Sequence, residues 1–356
     1  MPAVRLFERR SFLQGSASVV AAGAALPSFA RGGFFAAGSD RIRVGLVGCG
    51  GRGTGAAIEA AGRDRGVVVT AIGDLAAAAV DETAGILARR LGDAFDAPAD
   101  RRFAGRDACE LVCDAGIDVV ILAASAGVRP EHVAAAVARG LHVYAERPLA
   151  VDQRGLAEVA ASGRSSAARG LSFVTSLSLR YDPDVAVAIE RVRSLDRRVH
   201  ELEAVELSGG LVAERCLDAA DAALAALGGH GDDWSARATS GGFSLRAADG
   251  RGIRVLLDAS PSRHGRMVAR HSRGSHAGGS HAGGSVEFVS PAARRRATAS
   301  GLSAAWAALL ESIRRGRPIN DSQEACRAGA VMLSAAVVCA ARRPAERFSA
   351  FLPETA

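Results

Sequence analysis

The chain has 356 residues, of which 49% are hydrophobic and 23% are charged. This length corresponds to about two domains of roughly 150 residues each, and the apolar content excludes disorder as the main state. The net charge is +6, but arginines alternate with acidic residues instead of gathering on one element, which argues against nucleic-acid binding. The chain contains no lysine, so Schiff-base chemistry and proton relay by lysine are both excluded.

The first 30 residues are predicted to be an export signal. An arginine pair at positions 9 and 10 is followed by an apolar stretch at 15–26 and a small-x-Ala cleavage site at 28–30. The pattern resembles a twin-arginine signal, although a frayed N-terminal helix is the alternative. The apolar stretch is shorter than the ~20 residues that span a bilayer, and no later segment predicts a membrane helix. We therefore expect a periplasmic or extracytoplasmic location.

Strands and helices alternate between Arg43 and Ser176. The predicted strands are Arg43–Gly48, Val67–Ile72, Val119–Ala123, His142–Ala145 and Ser172–Ser176. The predicted helices are Gly53–Ala61, Ala76–Leu91, Asp107–Ala115, Pro130–Arg139 and Gln153–Ser162. Short apolar strands separated by helices of 3.6-residue period indicate βαβ units around a parallel sheet.

The pattern changes after Asp182. Longer strand-like stretches follow, at Val199–Leu207, Gly241–Ala247, Arg251–Asp258 and Ser285–Val289, and they suggest a mostly antiparallel sheet. Two final helices are predicted, at Ser303–Arg315 and Gln323–Arg342, with a break at Arg317-Pro318. The predicted fold class is α/β: a linker at 31–40, a Rossmann doubly wound parallel sheet at 41–176, and a C-terminal α/β domain with a mostly antiparallel open sheet at 177–356.

The six cysteines show no disulfide framework and no Cys-x-x-Cys motif, so we expect buried free thiols. Cys109 and Cys113 should share one face of a helix. A tandem Ser-His-Ala-Gly-Gly repeat at 273–285 is interpreted as a surface loop; the alternative, metal binding by His276 and His281, lacks a carboxylate in the repeat. We therefore predict no metal site.

The segment Gly48-Cys-Gly-Gly-Arg-Gly53 follows a predicted strand and begins a helix, and Asp74 ends the next strand. Gly48 permits a tight turn, Gly50 lets the backbone approach a pyrophosphate, and Gly53 lets the helix pack on the sheet. Asp74 would accept hydrogen bonds from ribose hydroxyls and repel a 2′-phosphate, which favours NAD over NADP. A glycine-rich turn without a ligand is the alternative. The expected cofactor contacts are Gly48, Gly50, Gly51, Arg52, Gly53, Asp74, Ala124 and Glu146.

Five segments resemble the glucose–fructose oxidoreductase/inositol dehydrogenase (Gfo/Idh/MocA) family, in its exported branch. They are Asp40–Gly55, Arg129–His132, Gly140–Leu149, Leu179–Pro183 and Ile313–Pro318. The resemblance implies a Rossmann domain, a second domain whose open sheet serves substrate and oligomer contacts, and NAD(P)-dependent hydride transfer on a sugar or polyol. A homo-oligomer is implied by the resemblance alone.

The departures from the family fall on its chemistry. Arg147 stands where the family has a lysine, and Asp218 of Asp218-Ala-Ala-Asp221 stands where it has a histidine. Arginine can orient a substrate oxygen but cannot give up its proton. Asp218 could act as a base only if burial beside Asp221 raised the pKa of one carboxyl. We predict Arg147, Asp218 and Asp221 as the catalytic residues.

Two functions remain open at this point. The first is an oxidoreductase, with full or impaired activity, acting on a small sugar-like substrate, with NAD-dependent glycoside cleavage as a variant. The second is a catalytically silent member that binds NAD or a sugar, or serves as a partner subunit. Tyr181 is expected to be a packing or turn residue rather than an acid, and His132 and His142 are expected to be structural.

Overall fold

A computed structural model describes most of the chain after the predicted linker. The described residues are 40–194, 199–207, 217–226, 234–239, 242–247, 251–258, 267–271, 284–289, 291–341 and 346–347. The predicted signal peptide, residues 31–39 of the linker and residues 273–283 of the repeat lie outside these ranges, as does Cys216.

The first sheet has six parallel strands in the order β3-β2-β1-β4-β5-β6. Its strands are β1 (Ile42–Val47), β2 (Val67–Asp74), β3 (Arg102–Ala104), β4 (Val119–Leu122), β5 (His142–Ala145) and β6 (Phe173–Thr175). Its helices are α1 (Gly51–Arg63), α2 (Ala77–Leu91), α3 (Ala108–Asp114), α4 (Arg129–Ala138) and α5 (Gln153–Ala168). The strand order reverses between β1 and β4, and ligands bind at such a switch point in doubly wound folds.

Helices cover both faces of this sheet, which explains why its central strands are apolar throughout. Every residue of β4 and of β5 is buried. On one face, Tyr144 of β5 stacks on Trp306, with ring centroids 4.3 Å apart and an angle of 16° between the planes. Both rings are almost fully buried, so this contact fixes a late helix of the chain against the sheet.

The second sheet has seven strands in the order β12-β11-β7-β10-β9-β8-β13. The β7–β10 pair is parallel and the other pairs are antiparallel, which confirms the predicted mostly antiparallel sheet. Its strands are β7 (Val199–Leu207), β8 (Trp234–Thr239), β9 (Gly242–Ala247), β10 (Gly252–Asp258), β11 (Met267–His271), β12 (Gly284–Val289) and β13 (Glu346–Arg347).

Five helices accompany the later part of the described chain. They are α6 (Ser178–Tyr181), α7 (Pro183–Ser194), α8 (Leu217–Ala226), α9 (Pro291–Arg314) and α10 (Ser322–Ala341). Among the helices that the structure describes, none combines the length and the apolar character needed to cross a bilayer.

Two predicted helix boundaries are wrong, and a glycine explains each error. Helix α5 continues past Gly163, where a Cβ would lie 2.0 Å from the Ser322 hydroxyl. Helix α9 begins at Pro291 and passes through Gly301, where a Cβ would lie 1.9 Å from the Ser178 carbonyl oxygen. Both glycines allow close packing between elements and do not end their helices. The predicted break at Arg317-Pro318 is confirmed.

Candidate functional site: a dinucleotide-binding groove

The glycine-rich turn joins β1 to α1 at the switch point of the parallel sheet. Gly48 has a φ of +99°, and a Cβ there would lie 2.3 Å from the backbone nitrogen of Ala124. A Cβ on Gly53 would lie 2.0 Å from the Gly48 carbonyl oxygen. A Cβ on Gly50 would meet no protein atom within 4 Å. Packing therefore explains the first and third glycines, whereas the second faces open space that a pyrophosphate can occupy.

Asp74 closes the adjacent side of this turn. Its Oδ2 accepts a hydrogen bond from the Cys49 backbone nitrogen at 2.7 Å, and its Oδ1 accepts one from the Ala76 nitrogen at 3.0 Å. A carboxylate has about four lone-pair sites, so acceptor capacity remains for ribose hydroxyls. Burial, reinforced by the charge of Asp74, raises the pKa of the Cys49 thiol to about 12, so this cysteine stays neutral beside the groove.

A cavity of about 510 Å³ opens next to Gly48 and Asp74. Leu75, Val128 and His132 also line it, and the Leu75 side chain is 72% exposed. Exposed apolar side chains next to a carboxylate suit the adenosine half of a dinucleotide. Burial lowers the pKa of His132, which keeps its imidazole neutral in the cavity wall.

Glu146, directly after β5, is joined to α1 across the end of β4. Its Oε2 accepts a hydrogen bond from Arg52 Nη1 at 2.8 Å and another from the Ser176 hydroxyl at 2.9 Å. The Glu146 side chain is 7% exposed and that of Arg52 is 51% exposed. The next residue, Arg147, donates its backbone N–H to the same serine hydroxyl at 3.0 Å. The structure thus places two predicted cofactor contacts and one predicted catalytic residue in one hydrogen-bonded group.

Asp221 lies on α8 and is 3% exposed. Its carboxylate accepts a short hydrogen bond from Arg180 of α6 in an ion pair. Burial lowers the pKa of Arg180, but the charges of Asp221 and Asp321 outweigh that effect and raise it above its ordinary value. Asp221 therefore fixes α8 against α6. Asp218 lies on α8 three residues before Asp221.

Sequence reasoning missed a buried acidic group near α6. Tyr181 donates its hydroxyl to Asp321 Oδ2 at 2.8 Å, and Thr175 of β6 donates to the same oxygen from its nitrogen at 3.1 Å and its hydroxyl at 3.0 Å. Burial raises the pKa of Asp321 and also that of Tyr181. The contact supports the packing role expected for Tyr181. Asp321 precedes a helix, where its residue type alone suggests no more than a cap.

The cysteines that the structure describes in full are free and buried. They are Cys49, Cys109, Cys113 and Cys326, and Cys109 and Cys113 lie on the buried side of α3, as predicted. His142 accepts a hydrogen bond at Nδ1 from the Ser172 nitrogen at 2.9 Å, which is a structural role. His230, which the sequence places in a glycine-rich turn, lies outside the described residues. Within the described ranges, no group of three His, Cys, Asp or Glu side chains is placed to hold a metal ion.

A parallel sheet in this strand order, a glycine turn open at its second glycine and a carboxylate at the end of β2 define an NAD-binding Rossmann domain. Residues 42–171 match the family model described as "Oxidoreductase family, NAD-binding Rossmann fold". Residues 42–171 are therefore similar to the NAD-binding domain of the Gfo/Idh/MocA oxidoreductases. No curated protein matches the chain.

Solved structures share the fold over most of the chain. Scyllo-inositol dehydrogenase from Lactobacillus casei, with bound NAD(H) and scyllo-inositol, has a TM-score of 0.65 at 16% identity and covers 87% of this chain and 99% of its own. Myo-inositol dehydrogenase from the same species, with NAD(H) and myo-inositol, has a TM-score of 0.65 at 13% identity and covers 86% of this chain and 96% of its own. UDP-N-acetylglucosamine 3-dehydrogenase from Acidithiobacillus ferrooxidans has a TM-score of 0.58 at 17% identity and covers 83% of this chain and 97% of its own. At these identities the likeness shows the fold.

Proposed function

We propose that this chain is an NAD-dependent oxidoreductase that transfers a hydride between the cofactor and a hydroxyl-bearing carbon of a sugar or polyol. The observation that carries the proposal is the groove formed by Gly48, Gly50 and Asp74, in which the space over Gly50 is open to a ligand. The inositol complexes with the same fold suggest the substrate class. When bound, NAD supplies the hydride acceptor or donor.

Residues of this chain are proposed to orient the substrate and to accept its proton. Arg147, held at its backbone by Ser176, would orient the reacting oxygen through its permanent charge. Asp218 is the proposed acceptor of the hydroxyl proton; because Arg180 neutralises Asp221, this role requires burial, rather than the charge of Asp221, to raise the pKa of the Asp218 carboxyl. Asp221 is assigned a positioning role instead of contact with substrate, because Arg180 already binds its carboxylate. The substrate would thus meet an arginine from the end of β5 and a carboxylate from α8.

The proposed preference for NAD over NADP follows from Asp74. Its carboxylate is held by two backbone N–H groups, so it cannot easily turn away from a 2′-phosphate. Titration with NADH and with NADPH tests this preference. Tighter binding of NADPH would contradict it.

A catalytically silent, NAD-binding protein is the second candidate function. Two observations favour it: the Asp221 carboxylate is already in a buried ion pair, and the chain has no lysine. Incubating the protein with NAD⁺ and a panel of inositols and aldoses, with NADH formation followed at 340 nm, separates the candidates. Formation of NADH establishes the oxidoreductase, whereas NADH binding without turnover of any substrate supports the silent protein.

We also propose export through the twin-arginine route, supported by the order of charge, apolar stretch and cleavage site in the first 30 residues. Replacing Arg9 and Arg10 together by lysine should retain the protein in the cytoplasm in a cell-fractionation assay. Unchanged export would refute the proposal. A homo-oligomer formed through the second sheet is the corresponding proposal for assembly, and light scattering on the purified protein tests it.

A further inference from the structure

We propose that Ser176 is a positioning residue that sets the Glu146-Arg147 turn for cofactor and substrate together. The inference deepens the proposed function and depends on it, because it assigns to Ser176 the orientation of groups in the dinucleotide groove. Ser176 follows β6 directly and is 1% exposed, and neither motif nor spacing marks it in the sequence.

The serine makes hydrogen bonds to three consecutive residues of the neighbouring strand and turn. Its backbone nitrogen donates to the Ala145 carbonyl oxygen at 3.0 Å. Its hydroxyl donates to Glu146 Oε2 at 2.9 Å and accepts the Arg147 N–H at 3.0 Å. A hydroxyl has one proton and two lone pairs. The proton and one lone pair therefore hold, at the same time, a predicted cofactor contact and the backbone of a predicted catalytic residue.

Glu146 is held from two sides. Ser176 and Arg52 both donate to its Oε2, one from β6 and the other from the N-terminal turn of α1. With Oε2 so anchored, the carboxylate has a defined orientation, and its remaining lone pairs are available to a hydroxyl of the ligand. Rigid presentation of a polar group strengthens binding because less rotamer freedom is lost on association.

The strand order indicates which half of the dinucleotide Glu146 meets. Asp74 ends β2 on one side of the glycine turn, and Glu146 follows β5 on the other side, with β1 and β4 between them. If the adenosine half lies by Asp74, the pyrophosphate lies over Gly50, and the nicotinamide half extends toward Glu146. Replacement of Ser176 should therefore lower the affinity for NADH but not the affinity for ligands that lack the nicotinamide half.

The test compares Ser176→Ala with Ser172→Ala in the full chain. Ser172 lies at the other end of β6, is fully buried, and its hydroxyl bonds that of Ser312 at 2.7 Å. It therefore matches Ser176 in burial and in strand, but it does not bond the Glu146-Arg147 turn. Affinities for NADH and for ADP are measured by calorimetry, with thermal unfolding as a check on folding.

We expect Ser176→Ala to bind NADH about fivefold more weakly than the wild-type protein, because the net contribution of about one hydrogen bond that orients Glu146 is lost. Its affinity for ADP should equal that of the wild-type protein. Ser172→Ala should bind both ligands as wild type does. Equal NADH affinity in Ser176→Ala and wild type, or equal weakening of NADH and ADP, would overturn the inference. If Ser176→Ala does not fold, Ser176→Cys carries the same test, because its slightly larger thiol is only a weak hydrogen-bond donor and acceptor.

The binding data distinguish a failure of the proposed function from a failure of the role assigned to Ser176. A wild-type chain that binds neither NADH nor ADP overturns the proposed function and this inference with it. A wild-type chain that binds both ligands, together with a Ser176→Ala variant that behaves like Ser172→Ala, overturns the role of Ser176 alone.

Discussion

Replacing Gly50 by alanine should weaken cofactor binding strongly while leaving the fold intact. Gly50 is the N-cap of α1 with φ −91° and ψ 179°, a conformation open to any L-residue. An added methyl group would meet no protein atom within 4 Å. It would project into the space assigned to the pyrophosphate. The substitution therefore separates the ligand-binding role of this glycine from its structural role.

Gly50→Ala should change the free energy of unfolding less than it changes the free energy of NADH binding. Alanine is a poorer N-cap than glycine, so the free energy of unfolding should fall by no more than about 1 kcal/mol. A displaced pyrophosphate loses at least one hydrogen bond between a charged group and a backbone N–H, a loss of about 1.5–3 kcal/mol. NADH affinity should therefore fall about 10- to 150-fold.

The assay is NADH titration followed by fluorescence, with urea unfolding on the same samples. Gly55→Ala is the matched control, because Gly55 lies on α1 and a Cβ there also meets no atom within 4 Å. It should bind NADH as wild type does and gain about 0.5–1 kcal/mol of stability. Wild-type NADH affinity in Gly50→Ala would refute the assignment of the space over Gly50 to the pyrophosphate.

Three further predictions concern the ion pair, acid stability and the proposed chemistry. Asp221→Ala should lower the free energy of unfolding by about 1.5–3 kcal/mol, because it removes a charge-assisted hydrogen bond from the half-buried Arg180, whose charge still interacts with Asp321; a loss below 1 kcal/mol in urea unfolding would contradict this. Burial lowers the pKa of His142 below its ordinary value of about 6.5, so the unfolded chain takes up this proton at a higher pH than the folded chain does. The free energy of unfolding should therefore fall as the pH drops below about 6.5. His142→Asn, which keeps an acceptor for the Ser172 N–H, should reduce this loss in unfolding curves between pH 7.5 and 5. Arg147→Lys combined with Asp218→His should raise the rate of NAD⁺ reduction by inositols if only these two groups limit the chemistry, and no gain with any sugar or polyol would count against that.

Local patterns predicted much of the architecture. The βαβ alternation and the antiparallel second sheet follow from hydrophobic periodicity, which depends on short stretches of sequence. The boundary errors arose because glycine is a poor helix former, so Gly163 is typical of a helix end and Gly301 of a position before a helix begins. Each glycine is instead required by a contact with a residue far away in the chain, Ser322 or Ser178, which no local window contains.

The candidate site was predictable to a different extent in its two halves. The glycine turn and Asp74 have a spacing that by itself indicates their proposed role in cofactor binding. Ser176 and Arg180 carry no such spacing, because their partners Arg147 and Asp221 are 29 and 41 residues away and meet them only in the folded chain. The missed residues are those whose importance lies in holding another side chain in place.

The most direct test of the account is NADH titration of the purified protein, with Asp74→Ala and Asp81→Ala compared. Asp81 is an exposed carboxylate on α2, so its removal changes the charge equally without touching the groove. The account predicts saturable binding that is weakened at least tenfold in Asp74→Ala, where the ribose loses a charged acceptor, and unchanged in Asp81→Ala. Absence of saturable binding by the wild-type protein, or equal affinity in all three proteins, would contradict the assignment of the groove to NAD.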